Sequence, residues 1–162
     1  MDAFVAWVQS TSLSQTIVLK TWIWPAAETV HFLGLALVIG IVGFLDLRLV
    51  GAFPRVPIAA ARELVPFAAA GFALNLMTGA IFLIGHPEQY AHNIAWWLKV
   101  GCLALAGVNA AIFDWSVGPR VAALGPGDAT PLAARCIGAV SLCAWLGVLY
   151  WGRMLPIVGN AF

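Results

Sequence analysis

Two histidines, a glutamate, a lysine and an arginine stand inside or at the rims of long apolar runs, where an ionisable side chain is costly and marks function by default. They are Glu28 and His31 in TWIWPAAETVHFLGLALVIGIVGFLDLR, His86 at the end of a second run, Lys99 near the start of a third and Arg153 near the end of a fourth. His31 follows Trp24 by seven residues, which on a helix places it roughly 10 Å deeper than the aromatic belt, too far to snorkel easily. His86 follows Gly79 by the same interval and returns to nearly the same face. An imidazole held in place can ligate iron or copper. A haem also needs small residues that admit the ring, aromatic walls, and cations for its propionates. The chain offers His31 and His86 as ligands, Gly34 and Cys102 as room, Trp24, Trp96, Trp97 and Trp151 as walls, and Lys99 and Arg153 as carboxylate partners. Glu28, three residues before His31, could accept the histidine's other N–H, pair with Lys99, or relay protons.

The elements that must position these groups are membrane helices. A chain of 162 residues that is 62% hydrophobic and 9% charged cannot clothe a soluble domain in polar residues. Spanning a core of roughly 30 Å takes about 20 apolar residues at about 1.5 Å each. Four runs qualify, at about 22–50, 62–85, 94–117 and 131–155. Short connections between them predict one all-α domain over 1–162, an up-down bundle of four transmembrane helices with no separate soluble part. Asp2 in place of a basic segment argues against a cleavable signal peptide. Residues 2–9 space Phe4, Trp7 and Val8 one turn apart, as suits a short interfacial helix.

Arg48, Arg55 and Arg62 flank the first loop and Arg120 and Arg135 the third, whereas HPEQYAHN in the second has neither Lys nor Arg. The positive-inside rule then makes both termini and the second loop periplasmic in a bacterial inner membrane. That topology gathers Glu28, His31, His86, Lys99, Arg153 and most of the tryptophans in the outer leaflet.

Residues at four-residue spacing predict helix packing: Gly71, Asn75 and Gly79; Cys102, Ala106 and Ala110; Ala139, Cys143 and Gly147. The three cysteines form no C-x-x-C or C-x-x-C-H pattern, and phosphate loops, hydrolase elbows, H-E-x-x-H and basic nucleic-acid stripes are missing. No catalytic residue is assigned and no nucleic-acid partner is expected. HFLGLALVIGIVGFLD at 31–46 aligns without gaps on KVGCLALAGVNAAIFD at 99–114. If this is a duplication, two hairpins are related by an axis along the membrane normal, and His31 corresponds to Lys99.

Plainer readings stand beside these. His31 could only bond a neighbouring helix, His86 could be a helix end, and Lys99 and Arg153 could be snorkelling cations. His92 reads as a solvated loop residue and Asn75 and Asn109 as interhelical hydrogen-bonders. Asp46 with Arg48, and Asp114 with Arg120, read as charges at the cytoplasmic edge.

WIWPAAETVHFLGLALVIGIVGFLDLRLVG, ELVPFAAAGFALNLMTGAIFL and WWLKVGCLALAGVNAAIFD resemble a family of small four-helix bacterial inner-membrane proteins of unknown function. More distantly, a His in the first helix and a Lys in a later one are similar to HemJ-type membrane protoporphyrinogen oxidases, which bind haem. That resemblance implies roles for His31 and Lys99. Glu28 departs from it, standing where that family has a Lys three residues before its His. So does Trp97, where it has a second His two residues before its Lys. Haem binding is therefore carried over and the oxidase activity is not. A looser similarity to CopD-type copper-resistance membrane proteins implies copper, with His31, His86, His92 and Met154 as ligands.

The expectation is a b-type haem protein carrying electrons near the outer face, with quinone or a periplasmic redox protein as partner. The alternatives are a cofactor-free scaffold or accessory subunit, which packing stripes would let form homo-oligomers, and a copper-binding protein.

Overall fold

A computed structural model describes residues 1–158 and, among them, helices and no strand. The N-terminal part forms α1 (Asp2–Ser10) and α2 (Ser12–Leu19), divided at Thr11, whose hydroxyl accepts from the Ser14 N–H at 3.2 Å and caps α2. α3 (Ile23–Val50) runs unbroken for 28 residues and ends where Gly51 adopts φ 116, with the Ala52 N–H reaching back to the Leu47 carbonyl at 2.9 Å.

The second apolar stretch starts earlier than 62, as α4 (Ile58–Arg62), and continues as α5 (Val65–Gly85). The break falls just before Pro66, which has no N–H to donate and crowds the carbonyl four residues back. After the short α6 (Glu88–Ala91), α7 (Ile94–Ile112) opens on Asn93, whose side chain accepts from the Ala95 N–H at 2.9 Å. The third stretch also runs past its expected end at 117. It passes through a π-helical turn, Phe113–Val117, into α8 (Gly118–Val121), because Pro119 cannot supply the ordinary bond to Trp115. α9 (Leu132–Val158) completes four helices long and apolar enough to cross a membrane, so the chain is a multi-pass, all-α, four-helix membrane protein.

α3 packs on α5 and on α9, and α9 packs on α7, while α5 and α7 make no comparable contact. The two hairpins thus match each other but meet through α3 and α9. A duplication axis would turn that contact into one between α7 and α5, so the packing between hairpins lacks the counterpart a symmetric pair would have.

α3 crosses α5 at two glycines: a Cβ on Gly34 would lie 2.6 Å from the Gly71 carbonyl oxygen, and one on Gly71 would lie 2.7 Å from that of Gly34. With its amide oriented to suit its neighbours, Asn75 donates to the His31 carbonyl at 2.7 Å and accepts from the Leu35 N–H at 3.1 Å, as expected of an interhelical hydrogen-bonder. Asn109 likewise donates to the Ile137 carbonyl at 3.1 Å. Gly79 faces open space. On α9 the buried residues are Ala134, Gly138, Ser141, Ala144 and Val148. The expected stripe is off by a residue, with Ala139 and Cys143 exposed, because Gly138 is where α9 meets the Asp46 carbonyl and Leu49 of α3.

The main apolar core lies at the Arg-rich end and includes Leu45, Leu49, Ile58, Phe113, Val121 and Ala134. Asp46 and Arg48 belong to that buried end, at 3% and 0% exposure, and are not edge charges. α3 turns them inward against α9 and the two loops. Asp114 does stay at the edge, paired with Arg62 at 3.1 Å rather than with Arg120, and the Arg62 guanidinium lies over the Phe113 ring.

Candidate functional site

At the Trp-rich end, α3 and α5 bring together a group of side chains that the sequence spreads over sixty residues. His31 Nδ1 lies 2.7 Å from the Thr78 hydroxyl. That hydroxyl is 2.8 Å from the Leu74 carbonyl, the natural acceptor for its proton one turn back. With the hydroxyl proton placed there, Thr78 accepts from Nδ1–H, and Nε2 is the nitrogen left with a lone pair. Phe82, one turn beyond Thr78, touches the imidazole edge-on at 5.5 Å between centroids. Phe82 packs in turn on Trp24 at 4.8 Å, and Trp24 on His86 at 5.1 Å. A continuous row of rings therefore connects the two histidines.

The partners of the remaining residues differ from the simplest expectations. Glu28 accepts from Trp24 Nε1 at 3.1 Å, while Thr78 takes the place it would have had beside His31. His86 Nδ1 is 3.1 Å from Glu88, and exposed His92, between α6 and α7, has its Nε2 2.9 Å from Asp2 of α1. Among the described residues no three His, Cys, Asp or Glu side chains group as a metal site would need. Gly34 is filled by the α5 crossing. Cys102 is used in the same way, its Sγ 2.6 Å from where a Cβ on Gly147 would stand. Neither leaves room for a ring.

The other hairpin contributes charge. Lys99 is half-buried on α7 with its ammonium against Gly152 of α9. Arg153 is next in the chain after Gly152 and is exposed. Trp97 is half exposed, donating to the Ala91 carbonyl at 3.3 Å, and Trp96 packs on Tyr90 at 5.0 Å. Burial first, then the Glu28 and Glu88 carboxylates, push the Tyr90 phenol up to about 12.

No family model, curated protein or solved structure matches the chain.

Two grooves open at this end, both where α1 and α2 lie across the end of α5. One of about 290 Å³ is wholly apolar, lined by Phe4, Trp7, Leu83 and neighbours. The other, of about 380 Å³, is bordered by Gln9, Gln15, His86 and Glu88. Neither of these two grooves lies between α3 and α7.

Two residues of this site carry no signal of their own in the sequence. Thr78 is one hydroxyl in an apolar helix, and only the α3–α5 crossing aims it at His31. Tyr90 reads as a loop residue and is buried at 8% exposure.

Proposed function

We propose that the Trp-rich end binds an iron porphyrin, haem b, through His31, and that the chain carries electrons near the outer face of a bacterial inner membrane. The observation that supports this reading is the contact of His31 Nδ1 with Thr78: with the hydroxyl proton on the Leu74 carbonyl, Nε2 keeps the lone pair a metal would need. Metal-ligating histidines depend on such a bond from the other ring nitrogen. Lys99 supplies a cation for a propionate, and Arg153 a second at the rim. Phe82 walls the imidazole on one side, with Trp24 packed behind it. Haem supplies one-electron redox chemistry; the chain fixes its ligand, balances its carboxylates and keeps it beside lipid, where a quinone could exchange electrons with it. His86, engaged by Glu88 and Trp24, is not needed as a ligand in this reading. Both termini are periplasmic in it.

A second reading, a cofactor-free accessory subunit, is favoured by the filling of Gly34 and Cys102 by helix crossings. Pigment extraction and metal analysis of the purified protein separate the two. Protohaem in near-stoichiometric amount supports the first. Protein free of porphyrin after expression with ample haem overturns it, and copper in its place would move the site to a copper-handling role.

A further inference from the structure

The Arg-rich end contains a second polar centre, independent of the reading above. Arg48 is fully buried. Its Nε donates to the Val56 carbonyl at 2.6 Å and its Nη1 to the Thr130 hydroxyl at 3.0 Å, but buried Nη2 has no partner. Among the described residues Arg48 is in no ion pair; Asp46, two residues earlier, forms none either and leaves its own buried Oδ2 without a partner. A buried guanidinium without an anion is expensive, and proteins rarely keep one.

Its neighbourhood is rich in unused donors. Thr130 is 5% exposed and accepts from Arg48, and its own hydroxyl proton goes to no acceptor among the described hydrogen bonds. Two residues later α9 begins, with the Leu132 and Ala133 N–H groups unpaired in its first turn and the positive end of a 27-residue helix behind them. Arg55 and Arg135 are exposed on the same two segments. The nearby acid, Asp128, is turned onto the Gly125 N–H at 2.8 Å.

We propose that Arg48, Thr130 and the first turn of α9 form a binding site for a phosphate group. A tetrahedral oxyanion has enough acceptors for Nη2, the Thr130 O–H and the backbone N–H groups together. At a membrane edge that phosphate belongs either to an anionic lipid headgroup or to a soluble phosphate compound. Entry requires the loops at 51–57 and 122–131 to part. Their recorded backbone link is the Gly127 N–H to the Pro54 carbonyl at 2.8 Å, and the first loop holds Phe53 at φ 53, a conformation that disfavours a bulky residue.

The test follows the melting temperature of the full chain in phosphatidylcholine vesicles, in vesicles with added phosphatidylglycerol, and in phosphatidylcholine with inorganic phosphate. Stabilisation by phosphatidylglycerol assigns a lipid headgroup, and stabilisation by inorganic phosphate assigns a soluble ligand. Thr130→Val, which removes the free hydroxyl at constant shape, should weaken the apparent affinity about tenfold or more. Arg48→Lys should abolish the effect, and Arg135→Gln should leave most of it. The proposal is overturned if neither probe stabilises the wild type. It is equally overturned if Thr130→Val responds as the wild type does while Arg135→Gln removes the response, which would describe surface charge alone.

Discussion

His31 and Thr78 show how a single contact changes what a residue can do. A histidine in an apolar helix has two equivalent readings until its neighbour is known; with the Thr78 proton assigned to the Leu74 carbonyl, Nδ1–H is the donor and Nε2 keeps its lone pair. Thr78→Val keeps the shape and removes that acceptor. Haem affinity, read by titrating the apoprotein, should fall about 10- to 100-fold, the usual cost of losing such a support. Tyr90 offers a pH prediction that needs no cofactor. Its folded pKa, about 12, lies above the ordinary 10.0, so the folded state holds the phenolic proton more tightly than the unfolded one. Its contribution to stability is complete below pH 10 and is lost as pH rises from about 10 to about 12. The near-ultraviolet tyrosinate signal that disappears in Tyr90→Phe should develop only near pH 12. Development near pH 10 would show the phenol to be solvated.

Helices were legible from the sequence where the signal was apolar length, since a bilayer admits few other solutions for such runs. The four spans and the polar residues within them follow from that alone. Facing was less legible. A spacing of four drifts against a helix that turns every 3.6 residues, so the stripe at Ala139 and Cys143 pointed one residue away from the buried face at Gly138 and Ser141. Arg48 was hidden for a similar reason. An Arg at the end of a span ordinarily marks the water boundary, and only the folding of two loops over it makes it interior. The glycine crossing gives the prediction proper to this scale. Gly34→Ala pushes a methyl against the Gly71 carbonyl and should cost about 1–3 kcal/mol. Gly79→Ala adds the same methyl in open space and should be neutral, or stabilising by up to about 1 kcal/mol. Unfolding in matched detergent micelles compares the two, and equal costs would contradict the close crossing.

Across the whole molecule, the packed core and most of the tryptophans are at opposite ends. Leu45, Phe113 and Val121 bind the hairpins together at the Arg-rich end, while His31, Lys99 and the half-buried tryptophans stand toward the other. In the orientation proposed above, with both termini periplasmic, the Arg-rich end faces the cytoplasm. In a variant lacking the native cysteines, a cysteine at Arg120 should therefore resist a membrane-impermeant reagent added to whole spheroplasts, and one at Gln89 should react. The reverse pattern would invert the topology. The central claim, haem held by His31, is tested most directly by the reduced-minus-oxidised optical spectrum of the purified protein beside its His31→Ala variant. The account predicts a haem b spectrum in the wild type that is lost in the variant while the helical content is kept. A wild type without that spectrum, or a variant that retains it unchanged, would contradict the account.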